Sequence, residues 1–152
     1  HPQRFEAVAA LFLAAGFTVS RRSAWQDSTE PADIWLGDSL GEMALYYGLA
    51  DAALLGGSFA PLGGQNLIEA AACGCPVLMG PHTFNFAQAA EMAEAEGAAL
   101  RCTDLADALR QGAALLADAA ALARKRQAAL AWSVAHQGAT RRTLDALDSV
   151  RA

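Results

Sequence analysis

The 152-residue chain has no apolar run close to the roughly 20 residues that a membrane-spanning helix needs. It shows no leader with a basic start, an apolar middle and a small-residue cleavage site. Both absences describe these residues alone and leave an anchor to any preceding segment. Basic residues are few: Lys and Arg number 11 against 16 Asp and Glu, a net charge of -5. Without a basic stripe, nucleic acid is not expected as a partner. Cysteine is scarce and odd in number, so Cys73, Cys75 and Cys102 cannot all pair with one another. The Cys73-Gly74-Cys75 spacing is neither a zinc nor a dithiol spacing, and the three read as small apolar residues of a cytosolic core. No histidine pair, carboxylate cluster or cysteine set has metal-ligand spacing, so neither a bound metal nor a cofactor is expected. No Gly-x-Gly-x-x-Gly opens a helix after a first strand, which disfavours a dinucleotide-dependent dehydrogenase. Repeats and low-complexity linkers are also missing.

What remains is a 54% hydrophobic chain of a length that suits one compact domain. Short β-branched or apolar runs alternate with helical patterns. Helices are expected over Phe5 to Ala15, with Leu11, Ala14 and Ala15 inward, and over Gly41 to Ala50, Asn66 to Cys73, Asn85 to Glu96, Asp104 to Leu116, Ala119 to Ser133 and Gln137 to Val150. Strands are expected over Phe17 to Ser20, Ala32 to Leu36, Ala52 to Leu55, Val77 to Met79 and Ala98 to Arg101. Such alternation predicts an α/β fold: a Rossmann-like parallel sheet covered by helices on both faces. Ligands of such folds bind outside the carboxyl ends of the strands. Gly37, Gly56 and Gly80 each follow an expected strand, so three loops are expected on one rim. A chain that opens on a helix lacks the first strand–helix unit of a nucleotide-binding domain.

The richest segment is Gly56-Gly57-Ser58-Phe59-Ala60-Pro61-Leu62-Gly63-Gly64-Gln65-Asn66-Leu67-Ile68-Glu69. A glycine-rich turn between a strand and a helix lets backbone N–H groups approach an anion. Gly63 and Gly64 permit either positive φ or close approach to phosphate. Ser58 is either a turn residue or a donor to phosphate. Asn66 is either an N-cap or a ligand contact, and Gln65 sits beside it at the loop–helix junction. Glu69, three residues after Asn66, completes a capping box or points a carboxylate at hydroxyl groups. Ser39 and Glu42 carry the same ambiguity, and a glycine at Gly41 hints that bulk is excluded for a ligand. His82 is a solvated loop residue or a sugar contact. Asn85 reads as the N-cap of the next helix. Arg124-Lys125-Arg126 and Arg141-Arg142 read as solvated faces, with attraction to anionic headgroups as the alternative.

Taken together, these residues resemble the donor-binding half of GT-B glycosyltransferases, and more closely the 3-deoxy-D-manno-octulosonic acid (Kdo) transferases. The resemblance is carried by Gly56-Gly57-Ser58, Pro61, Gly63-Gly64-Gln65-Asn66, Glu69-Ala70-Ala71-Ala72, Gly74, Pro76-Val77, Gly80-Pro81-His82 and Asn85-Phe86. Gly37 to Met43 with Tyr46-Tyr47, and His1 to Phe5, add two further blocks. Gln65 stands where the family usually has histidine, and Ala70 where it usually has proline. Gln65 hydrogen-bonds but carries no titrating proton.

The resemblance implies a partial C-terminal CMP-sugar-binding domain over residues 1–152, with an N-terminal acceptor domain absent from this chain. It implies transfer of Kdo from CMP-Kdo to a lipid A precursor in lipopolysaccharide synthesis, at the cytoplasmic face of a bacterial inner membrane. CMP-Kdo, the lipid acceptor and, through the full-length protein, a membrane surface are the implied partners. Gly57, Ser58, Gly64, Gln65 and Asn66 are expected to stabilise charge growing on the leaving phosphate, Gly63 to permit the approach, and Glu69 to fix the ribose. Gly41, Glu42 and Met43 are expected against the cytosine base, and His82 near the sugar. No residue of this chain is expected to be the catalytic base. The alternatives are a GT-B domain for a UDP-sugar and a non-catalytic nucleotide-binding module.

Overall fold

The computed structural model describes residues 2–25 and 31–136. His1, Arg141-Arg142 and the helix expected over Gln137 to Val150 lie outside them. No described helix is long and apolar enough to cross a membrane. The chain divides into two compact units, residues 1–46 and 47–152.

In the first unit, helix α1 (Phe5–Ala14) leads to strand β1 (Val19–Arg21), which pairs in parallel with β2 (Ile34–Leu36). The inward face of α1 is not the expected one. Leu11 is 67% exposed, whereas Ala9 is buried and Phe5, Val8 and Phe12 are half-buried. Positions 5, 8, 9 and 12 form an i, i+3, i+4, i+7 stripe, so the aromatic pair sets the face and leaves Leu11 outside. Phe12 then packs edge-on to Phe17, with ring centroids 6.3 Å apart. Gly16 ends the helix at φ +87, as its C-terminal stop position requires. Asp33 locks the start of the strand pair by accepting from the Thr18 N–H at 2.9 Å and the Thr18 hydroxyl at 2.7 Å.

Helix α2 (Met43–Leu49) runs from the first unit into the second, where three parallel strands follow: β3 (Ala53–Leu55), β4 (Val77–Met79) and β5 (Ala99–Arg101), in the order β3-β4-β5. Each crossover carries a helix: α3 (Leu67–Ala72) between β3 and β4, and α4 (Ala87–Ala95) between β4 and β5. Helices α5 (Leu105–Ala117) and α6 (Ala119–His136) complete the unit. The parallel α/β expectation therefore holds, with the strands divided between a two-stranded and a three-stranded sheet.

Side-chain alternation along β4 explains the layers. Val77 and Met79 point to the face covered by α3, α4 and α6, where Leu67, Ala70, Ala71, Ala90, Ala93, Ala129 and Trp132 bury them. Leu78 points to the other face, against Ala108 of α5 and Cys102. Leu67, Val77 and Met79 are at most 1% exposed, and each such burial contributes about 1.5–3 kcal/mol of transfer free energy. Cys75 and Cys102 are buried within these layers, and no described cysteine is in a disulfide.

Candidate functional site

The loops after β3 and β4 share one sheet edge, because β3 and β4 are adjacent and parallel. The loop after β2, carrying Gly37 to Met43, belongs to the other sheet.

Ser58 is the link between the two loops. Its side chain is fully buried, its hydroxyl donates to the Leu55 carbonyl at 2.5 Å, and it accepts the Gly80 N–H at 2.7 Å. Its carbonyl accepts the His82 N–H at 3.0 Å. Ser58 therefore staples two strand ends, and its hydroxyl is not turned toward a phosphate. A Cβ on Gly80 would lie 2.4 Å from the Ser58 carbonyl oxygen, so the staple requires glycine there.

The glycines also serve loop-to-loop contact. Gly63 and Gly64 adopt φ of +86 and +78, as expected of residues needing a left-handed backbone. A Cβ on Gly63 would lie 2.3 Å from the Asn85 side-chain nitrogen. Asn85 donates from its backbone to the Gly63 carbonyl at 3.2 Å and from its side chain to the Leu62 carbonyl at 3.1 Å. It clamps the two loops; α4 starts after Phe86, so Asn85 is not its cap. The Gly57 N–H donates to Gln65 Oε1 at 3.2 Å, and the Gly64 N–H donates to the Gly57 carbonyl at 3.3 Å. Of the groups expected at the phosphate, the Gly57 and Gly64 amides therefore have internal acceptors. The Gln65 and Asn66 N–H groups have none among the described residues.

At the start of α3, Asn66 is the N-cap. It has extended ψ of 104 and accepts the Ile68 N–H at 3.0 Å. Its side-chain nitrogen donates to Glu69 Oε1 at 2.9 Å. This is not the reciprocal capping box, in which the carboxylate would take the Asn66 backbone N–H. Glu69 is exposed, held through one oxygen, with the second oxygen unbonded among the described residues. Helix α3 has only six residues, so the summed peptide dipole behind this corner is short. His82 is half-buried in the loop after β4.

The residues of the first unit behave differently. Glu42 accepts from the Ser39 hydroxyl, from Arg22 Nη2 at 2.7 Å and from the Tyr46 hydroxyl at 3.3 Å. The Ser39 hydrogen bond, with Arg22 beside it, holds the Glu42 carboxyl below its ordinary pKa. Ser39 thus binds Glu42 side chain to side chain. Gly41 has φ +80, and a Cβ built there would meet nothing within 4 Å. Its left-handed backbone by itself favours glycine there. Met43 is 44% exposed at the first position of α2. Asp38 accepts from the Ser23 N–H at 2.8 Å and the Ser23 hydroxyl at 2.7 Å, which fixes the loop.

Sequence reasoning missed Arg101. It closes β5 and donates from Nε to Glu94 at 2.6 Å and from Nη1 to the Thr83 hydroxyl at 3.2 Å and the Gly80 carbonyl at 3.4 Å. Its position at a carboxyl strand end was the available signal.

Parallel strands, helices on both faces and a loop-built carboxyl edge make the second unit an α/β domain of the Rossmann-like class. No family model matches the chain. The chain is 57% identical over 149 residues to the 3-deoxy-D-manno-octulosonic acid transferase of Bordetella pertussis, covering 97% of this chain and 35% of that protein. It is 38% identical over 148 residues to the enzyme of the same name from Haemophilus influenzae, again covering 97% and 35%. It also matches the crystal structure of the C-terminal CMP-Kdo binding domain of WaaA from Acinetobacter baumannii, with a TM-score of 0.80 and 30% identity, covering 87% of this chain and 69% of that one. The chain belongs to the 3-deoxy-D-manno-octulosonic acid transferase family. It spans about a third of the length of the curated relatives it matches.

Proposed function

We propose that this chain is the donor-binding part of a glycosyltransferase that moves Kdo from CMP-Kdo to a lipid A precursor. The observation that carries the reading is the corner at Gln65, Asn66 and Glu69. It sits at the carboxyl edge of the parallel sheet and combines open backbone N–H groups with an oriented, exposed carboxylate. Likeness to a domain described as CMP-Kdo binding supports the choice of nucleotide.

In the proposed mechanism, the glycosidic bond breaks and negative charge grows on the CMP phosphate. Fixed N–H donors that already point at that oxygen stabilise the charge without reorganising. The Gln65 and Asn66 N–H groups take that task. Gly57, Ser58, Gly63 and Gly64 support them by holding the two loops together. Glu69 accepts from the ribose hydroxyls through its outward oxygen. The acceptor base and acceptor contacts belong to a preceding acceptor domain, and the whole protein works at the cytoplasmic face of a Gram-negative inner membrane. No metal takes part.

Calorimetric titration of the full-length protein with CMP, UMP and NAD tests the reading. Tighter binding of CMP than of the other two supports it. Preference for UMP would move the chain to the UDP-sugar alternative, and binding of none would leave a module without nucleotide function.

A further inference from the structure

We propose that Lys125 is a site of acylation, and that the cavity beside it takes a small acyl phosphate as the acyl donor. Of the 11 Lys and Arg residues of the chain, Lys125 is the only lysine. It does not lie on the solvated face expected of Arg124-Lys125-Arg126: it is half-buried, and its Nζ donates to the Gly97 carbonyl at 3.0 Å. Both partners of that bond line a cavity of about 260 Å³, together with Leu115, Ala121, Arg124 and Ala128. Residues 121, 124, 125 and 128 follow the i, i+3, i+4, i+7 spacing, so one face of α6 forms the wall. Gly97 precedes β5 and Arg101 ends it, so the cavity lies at the amino edge of the sheet, away from the donor corner.

The lining selects the ligand. No acidic residue lines the cavity. Arg124 is exposed and makes no hydrogen bond or ion pair among the described residues, so its guanidinium is open to a phosphate, whose oxygens it matches in pairs. Leu115, Ala121 and Ala128 offer an apolar wall to the acyl group. The volume falls just under the roughly 300–1,000 Å³ of pockets for larger ligands, so the acyl chain must be short. A lysine serves here where an arginine would not, because a buried amine can be uncharged and nucleophilic. Burial pushes the Lys125 amine below its ordinary pKa. The uncharged nitrogen attacks the carbonyl carbon of the acyl phosphate. The N–C bond forms, the C–O bond to the phosphate breaks, and its electron pair leaves with the phosphate. The proton lost from nitrogen goes to that phosphate, leaving an amide and hydrogen phosphate. The amide N–H retains a donor for Gly97, while the positive charge at the carboxyl end of α4 is lost.

The test uses the full-length protein and acetyl phosphate as the probe. Peptide mass spectrometry follows acetylation of Lys125 in wild type, in Arg124→Gln and in wild type unfolded by urea, with an unstructured lysine peptide in the same tube as reference. Wild-type Lys125 is expected to react roughly tenfold faster than the reference, the factor that one charge-assisted phosphate contact supplies. Arg124→Gln and unfolding are each expected to return it to the reference rate. Arg124 is exposed and bonded to nothing described, so its replacement leaves the fold intact, which a thermal melt checks. An acceleration that both Arg124→Gln and unfolding remove supports the site. A wild-type rate no faster than the reference, or an acceleration that survives in Arg124→Gln or in urea, overturns it.

Discussion

Replacing Glu69 by glutamine isolates the outward oxygen of the carboxylate. In the structure Glu69 Oε1 accepts the Asn66 side-chain N–H at 2.9 Å. The glutamine carbonyl can keep that bond, so the N-cap and the first turn of α3 are retained. Only the second oxygen changes, from a charged acceptor to an amide donor. If that oxygen receives ribose hydroxyls, the loss is a charge-assisted hydrogen bond worth about 1.5–3 kcal/mol. Affinity for CMP then falls roughly ten- to hundredfold. Calorimetry measures that fall, and the melting temperature is expected to stay unchanged. A 2′,3′-dideoxy analogue of CMP supplies the control: wild type and Glu69→Gln should bind it equally, since the contact is already gone. Glu69→Ala is a poorer probe because it also orphans the Asn66 amide. Equal CMP affinity in wild type and Glu69→Gln would refute the ribose contact and leave Glu69 as a structural partner of Asn66 alone.

Three further outcomes are expected. Ser58→Ala leaves the Leu55 carbonyl and the Gly80 N–H without their buried partner, so chemical denaturation should show a loss of about 1–3 kcal/mol; an unchanged midpoint would disprove the staple. Gly63→Ala combines a left-handed backbone with a Cβ 2.3 Å from the Asn85 amide, and should lower the melting temperature and weaken CMP binding together, as loss of the clamp requires. Burial pushes the Cys75 thiol up to about 11, above its ordinary value of 9.0. A raised thiol pKa favours folding fully below the unfolded value and loses that contribution as pH climbs from about 9 toward 11. Cys75 should therefore resist alkylation at pH 8 until the protein unfolds, and rapid native labelling found by mass spectrometry would contradict its burial.

The alternation of elements was legible because α/β chains switch between long helical stripes and short, wholly apolar strands. Val77 to Met79, bounded by Pro76 and Gly80, is such a strand, and it lies where the pattern put it. The inward face of α1 was misread, since the small and apolar residues of Phe5 to Ala15 satisfy several stripes and only packing selects the one through Phe12. The loop–helix corner was also legible: Asn66 caps α3 as its side chain and position demand. The partners of Ser58, Gly57 and Asn85 were not. Each is bonded to a residue whose place depends on how the loops cross, and no local spacing encodes that. Gly63 and Gly64 take the positive φ that was one of their two readings, and a Cβ on Gly63 would also meet Asn85 of the neighbouring loop, a contact no local spacing encodes.

The layer between the three-stranded sheet and α3, α4 and α6 has a peculiarity of composition: Ala70, Ala71, Ala90, Ala93, Ala98, Ala99 and Ala129 are all at most 2% exposed. Truncation cannot probe these seven positions, because they are already at the endpoint of an alanine scan. A library of alanine substitutions would therefore report this layer only through its larger members, Leu67, Val77, Met79 and Trp132. The informative direction is enlargement. Alanine to valine or leucine at these buried positions would overpack the layer, and overpacking of this kind costs about 1–3 kcal/mol per site. At these seven positions the layer therefore sets an upper limit on side-chain size, whereas a core built from leucine is tested by shortening.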